Sequence, residues 1–147
     1  MSAPKIIIYS DDSSVRQTIR LALGNRLGED LPEHEILEFA TAPALRLYLD
    51  QKGKADLFIL DGESAPEGGM GVARQLKDEI FNCPPVLLIV ARVEDSWLAS
   101  WSRAEDVVLH PIDPFNLAKS AGNLLSALSL IHISEPTRRR GLNRRFN

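Results

Sequence analysis

Short apolar runs alternate with amphipathic segments along the chain, and turn residues separate them. Lys5 to Ser10 (KIIIYS) is a continuous β-branched run, as expected of a central strand covered on both faces. Ser13 or Ser14 can then cap a helix in which Val15, Ile19, Ala22, Leu23 and Leu27 share one side. After a loop from Gly28 to Glu33, the stretch Glu35 to Ala40 alternates as a second strand. Thr41 opens a helix through Leu45, Leu47, Tyr48 and Leu49 that Gly53 ends. Leu57 to Leu60 predicts a third strand, followed by a glycine-rich acidic loop, Asp61 to Gly69, and a helix from about Met70 to Ile80. Val86 to Val90 is a fully apolar fourth strand, Glu94 to Arg103 a short helix, and Asp106 to Leu109 a fifth strand. Pro114, suited to a first helical turn, starts the last helix through Leu117, Ala121, Leu124 and Leu125.

Strands alternating with helices in this way make βα units around a parallel sheet. In an open sheet of that kind, ligands bind beyond the carboxyl ends of the strands. The residues there are Ser10, Asp11 and Asp12 after the first strand, Asp61 after the third, Val90 and Ala91 after the fourth, and His110 after the fifth. Three carboxylates on one edge repel each other, and a hard cation such as Mg²⁺ is the usual remedy.

Four stretches resemble the response-regulator receiver family over about Lys5 to Leu125. IIIYSDDSSVR is similar to its first strand and acidic turn, and ADLFILDGESAPEGGMGVARQLK to its phosphoacceptor strand and following loop. PPVLLIVAR and DVVLHPIDP are similar to its fourth and fifth strands. The resemblance implies a flavodoxin-like, doubly wound five-stranded parallel sheet of order 2-1-3-4-5, for which a chemotaxis receiver is a known example. It makes Asp61 the candidate phosphoacceptor, with Gly69 at the place of the family's loop glycine. It makes Asp11, Asp61 and the backbone carbonyl of Glu63 the candidate metal ligands, with Asp12 a weaker one.

The same alignment exposes departures. Ser10 stands where the family has an acid, so a Mg²⁺ is expected to be held weakly or not at all. Val90 stands at the family's Thr or Ser position, and His110 at its lysine position before a proline, where the family bond is usually cis. Val107 stands at the position of the aromatic that moves on activation. Histidine is a cation only when protonated. The resemblance therefore implies a stand-alone degenerate receiver, a protein-binding regulatory module and not an enzyme. The alternative is a working phosphoacceptor that takes a phosphoryl group on Asp61 with Mg²⁺ in a two-component phosphorelay. A small-molecule or flavin-type binder at the same edge is a third reading, but the third loop lacks a hydroxyl-rich phosphate cradle. An unknown protein partner is expected on the face of the fourth helix, fifth strand and fifth helix, with Trp97 and Trp101 as contact residues; a homodimer is left open.

Composition changes this picture little. The chain has 147 residues, enough for one domain, and 44% hydrophobic and 25% charged residues are ordinary for a soluble fold. No apolar run reaches the length of a membrane span, and the N-terminus lacks a secretory pattern, so a cytoplasmic protein without membrane contact is expected. The single cysteine, Cys83, is read as a buried or half-buried thiol without chemistry. The end of the chain does alter the charge. Leu128 to Arg138 (LSLIHISEPTR) resembles the in-frame translation of a sequencing-library adapter, so the domain is placed at residues 1–127 and residues 128–147 are expected to form a disordered, artefactual tail. The tail holds five of the seventeen Lys and Arg and one of the twenty Asp and Glu, which leaves −7 on residues 1–127. An acidic body repels phosphate backbones, so no nucleic-acid partner is expected despite the terminal arginines.

Overall fold

The computed structural model describes residues 3–92 and 97–134. Its elements follow in strict alternation: β1 (Lys5–Tyr9), α1 (Ser13–Leu23), β2 (Glu35–Phe39), α2 (Ala42–Asp50), β3 (Leu57–Asp61), α3 (Gly69–Glu79), β4 (Val86–Val90), α4 (Leu98–Ser102), β5 (Asp106–Leu109) and α5 (Pro114–Ser134). All strand pairs are parallel and the order is β2-β1-β3-β4-β5, the flavodoxin-like arrangement.

The central strands are apolar on both sides because both sides are covered. Alternate residues feed two separate cores. Ile6, Ile8, Leu57, Ile59, Leu87 and Ile89 pack with Ile19 and Leu23 of α1 and Leu117, Ala121 and Leu125 of α5. Ile7, Tyr9, Phe58, Leu60, Leu88 and Val90 pack with Leu45 of α2 and Val72, Ala73 and Leu76 of α3. The strand ends that carry Ser10, Asp61, Val90 and His110 are therefore fixed from two faces at once.

Local signals set most helix ends, with three corrections. The cap of α1 is Asp12, whose side chain accepts from the Ser14 N–H, and not Ser13 or Ser14. Thr41 caps α2 as expected, accepting from the Ala44 N–H at 3.2 Å, but the helix stops at Asp50, before Gly53, and Leu47 is exposed. The fourth helix is described only from Leu98; its expected start at Glu94 lies outside the described residues. The last helix continues to Ser134, so residues 128–134 of the expected disordered tail are helical. No glycine or proline interrupts Leu128 to Ser134, and extending a nucleated helix is cheap until the residue before Pro136, where helical backbone is disfavoured. No helix among the described residues is long and apolar enough to cross a membrane.

The buried α5 side chains named above all precede Ala127. Truncation after Ala127 is expected to lower the melting temperature by less than about 5 °C. A larger fall in a thermal melt makes residues 128–147 part of the fold.

Candidate functional site

Parallel strands with helical crossovers bring β1, β3, β4 and β5 to a common carboxyl edge, where Asp61 lies almost fully buried. A carboxylate so placed needs hydrogen-bond donors, and the chain supplies three. Ser10 Oγ donates to Asp61 Oδ2 at 2.7 Å, and the Glu63 N–H donates to Oδ1 at 3.0 Å. His110 Nε2 lies 3.1 Å from the same Oδ1, close enough for a hydrogen bond when neutral and an ion pair when protonated. His110–Pro111 is cis, as the resemblance implied, and Ala65–Pro66 is cis as well.

Ser10 is itself fully buried and held from several directions. Its Oγ accepts from the Asp12 N–H at 3.1 Å, and its carbonyl accepts from Arg16 Nη1 at 2.7 Å. The Arg16 guanidinium reaches Glu38 on β2 at 3.3 Å. Ser64, also buried, accepts from the Asp11 N–H at 3.0 Å. Ser64 and Arg16 carried no signal in the sequence beyond their nearness to the acidic turn and the third loop. Ser10 was legible as a lost acid but not as a donor.

The three acids named from the sequence do different things. Asp61 is the buried acceptor, and Asp11 is exposed at the mouth of the site. Asp12 is turned away: its Oδ1 accepts from Ser14 N at 2.9 Å and Ser14 Oγ at 2.7 Å as the cap of α1. The Ser14 hydroxyl first and its amide second hold the Asp12 carboxyl below the usual carboxylate range. By linkage, what this cap contributes is present above that range and is lost as pH falls through the lowered value. Among the described residues, no group of three or more His, Cys, Asp and Glu could hold a metal ion.

The end of β4 offers no hydroxyl. Val90 is fully buried among Tyr9, Leu60 and Leu88. The next amide, Ala91 N–H, donates to Glu63 Oε2 at 3.2 Å, so the Glu63 carboxylate spans from the third loop to β4. The third loop is held by close packing. A Cβ on Gly69 would stand 2.7 Å from the Asp61 carbonyl, and one on Gly62 would stand 2.7 Å from the Ile89 carbonyl, so only glycine permits the approach. Tyr9 OH donates to the Glu67 carbonyl at 2.5 Å, and Arg46 clasps the Glu67 carboxylate with both terminal nitrogens.

The two tryptophans lie outside this cluster. Trp97 is 66% and Trp101 46% exposed, and the Arg74 guanidinium sits 5.2 Å from the Trp101 ring centre while donating to its carbonyl at 2.8 Å. Leu109 on β5 and Phe115 on α5 are exposed too. Cys83 is half-buried, and burial pushes its thiol up, away from reactivity.

No family model matches the chain. Two proteins from Mycobacterium tuberculosis strains, H37Rv and CDC 1551, each described as an uncharacterized response regulatory protein, are 49% identical over 126 residues, covering 86% of this chain and 94% of theirs. Among solved structures, a CheY-like response regulator receiver domain protein from Methanospirillum hungatei aligns with a TM-score of 0.70 at 17% identity, over 88% of this chain and 99% of that one. The signal receiver domain of a LuxO repressor protein from Vibrio parahaemolyticus aligns with a TM-score of 0.74 at 19% identity, over 91% and 98%. These solved structures share the fold.

Proposed function

Because the chain belongs to the response-regulator receiver family, we propose that it acts in signalling as a degenerate receiver, a protein-binding module whose contacts do not depend on a phosphoryl group at Asp61. One observation carries this: both oxygens of the buried Asp61 carboxylate are already engaged, by Ser10 on one side and by Glu63 N–H and His110 on the other.

A modification switches a protein only through interactions that differ between its two states. A phosphoryl group on either oxygen of Asp61 displaces at least one of those donors. It finds little in return. Val90 has no hydroxyl, the Ala91 amide is taken by Glu63, and His110 provides a cation only when protonated. Each charge-assisted hydrogen bond lost or unmade is worth about 1.5–3 kcal/mol, as large as the coupling of about 1–3 kcal/mol on which ordinary switches run.

The donor set also fits a firmly held Mg²⁺ poorly. A hard cation wants carboxylate oxygens with open lone pairs in near-octahedral array. Here Asp12 caps a helix, Ser10 stands at the second acid position, and Asp11 alone remains beside Asp61. The Glu63 carbonyl belongs to a residue whose amide and carboxylate are both committed inside the site. The module works without Mg²⁺ and catalyses no reaction. Its partner is a protein that docks on the face of α4, β5 and α5, where Trp97, Trp101 and Leu109 are exposed.

The test is incubation with acetyl phosphate and Mg²⁺ followed by intact mass measurement. Only a small minority of the chain is expected to carry a phosphoryl adduct. Stoichiometric modification lost in Asp61→Asn overturns the proposal in favour of a working phosphoacceptor.

A further inference from the structure

The end of the sheet opposite Asp61 carries a second feature. Between the C-terminal ends of α2 and α3 lies a groove of about 680 Å³, with Leu49, Ala55, Phe58, Leu76, Ile80 and Pro84 along its apolar side. Phe81, the residue after Ile80, does not line it. Its side chain is 92% exposed, the most exposed of the large apolar residues described, and Asn82 after it holds a left-handed backbone with φ of 54°. The chain thus presents a phenyl ring and, one residue away, a recess with an apolar side, flanked by Arg46, Asp50, Gln75 and Glu79, that is large enough to receive one.

We infer that a second copy of this chain occupies the groove, each Phe81 entering the recess of the other in a two-fold pair. A two-fold interface is made of one patch meeting itself, so the patch must contain its own complement. This one does so in shape, as ring and recess, and in charge. Asp50 on the rim and Lys52 and Lys54 in the turn after α2 are exposed, and none of the three forms a salt bridge with a described residue. Opposed about a two-fold axis, Asp50 of one copy meets the lysines of the other.

The size of the contact fixes its strength. A buried aromatic contributes about 150–250 Å², so two rings with their recesses fall short of the roughly 1,200 Å² of a standard interface. The pair is weak and visible at high concentration. Such a pair forms independently of the α4 face and of any chemistry at Asp61.

Sedimentation equilibrium on the full chain, from about 5 to 500 µM, spans the range in which a weak pair forms. Wild type is expected to self-associate. Phe81→Ser is expected to weaken association about tenfold or more, with an unchanged circular dichroism spectrum because Phe81 is almost fully exposed. Asp50→Lys is expected to weaken it also, and Lys52→Asp in the same chain to restore part of the loss. A wild type that is monomeric throughout overturns the inference and leaves the groove to another protein. A dimer untouched by Phe81→Ser but lost in Trp101→Ser places the contact on α4 and overturns it equally.

Discussion

Replacing Ser10 by Asp is expected to destabilise the domain by about 3 kcal/mol, a fall on the order of 10 °C in melting temperature, and to make that temperature depend on Mg²⁺. Ser10 is fully buried, and its hydroxyl sits 2.7 Å from Asp61 Oδ2. The substitution exchanges a donor for a second carboxylate at a position buried from water, next to the almost fully buried Asp61. The nearby Arg16 relieves this only in part, because its guanidinium is held by the Ser10 carbonyl and by Glu38. Two adjacent carboxylates either share a proton or recruit a cation. Millimolar Mg²⁺ is therefore expected to recover much of the loss, since a ligand at about a hundred times its Kd returns roughly 2.7 kcal/mol. The wild-type melt is expected to be indifferent to the same addition. A Ser10→Asp variant as stable as wild type and blind to Mg²⁺ would show that the hydroxyl does not stand in for a cation at Asp61.

Trp101→Ala is expected to weaken partner binding at least 30-fold, about 2 kcal/mol, while leaving the fold intact. Interface energy concentrates in a few aromatic and arginine side chains, and Trp101 combines both: its ring is half-exposed and Arg74 lies over it. The Arg74 guanidinium is further fixed by Asp78 at 3.7 Å, and Asp78 also pairs with Arg103. The ring is thus presented in one orientation, which lowers the entropy lost on docking. Titration calorimetry with a partner captured on the wild-type chain measures the loss. Equal affinity for Trp101→Ala and wild type removes α4 from the binding face.

The fold was legible because its signals are local and repeated. KIIIYS and VLLIV are short, β-branched-rich or fully apolar runs of strand length, as expected of strands buried on two faces, and the alternation with helices leaves few topologies. Ends were less legible where several residues could do the same job. Asp12, Ser13 and Ser14 are all good caps, and only the path out of β1 decides that Asp12 takes the role, which also removes it from the metal candidates. The site divides in the same way. Asp61, Val90 and His110 were found from their places at strand ends. The pairing of Ser10 with Asp61, and of Glu63 with Ala91, spans 51 and 28 residues and depends on how three strand ends and a loop converge. Glycines and acids in the third loop give no packing signal in the sequence, and only the folded chain shows that Gly62 and Gly69 serve close packing against Ile89 and Asp61.

Under the function proposed above, partner binding does not run through Asp61. Asp61→Asn tests it most directly, because asparagine keeps the shape and an acceptor for Ser10 while abolishing any phosphoryl acceptance. With a partner isolated on the wild-type chain, the affinities of wild type and Asp61→Asn are expected to agree within about twofold, less than 0.5 kcal/mol. A loss of tenfold or more in Asp61→Asn, accompanied by tighter wild-type binding after treatment with acetyl phosphate, would contradict the account.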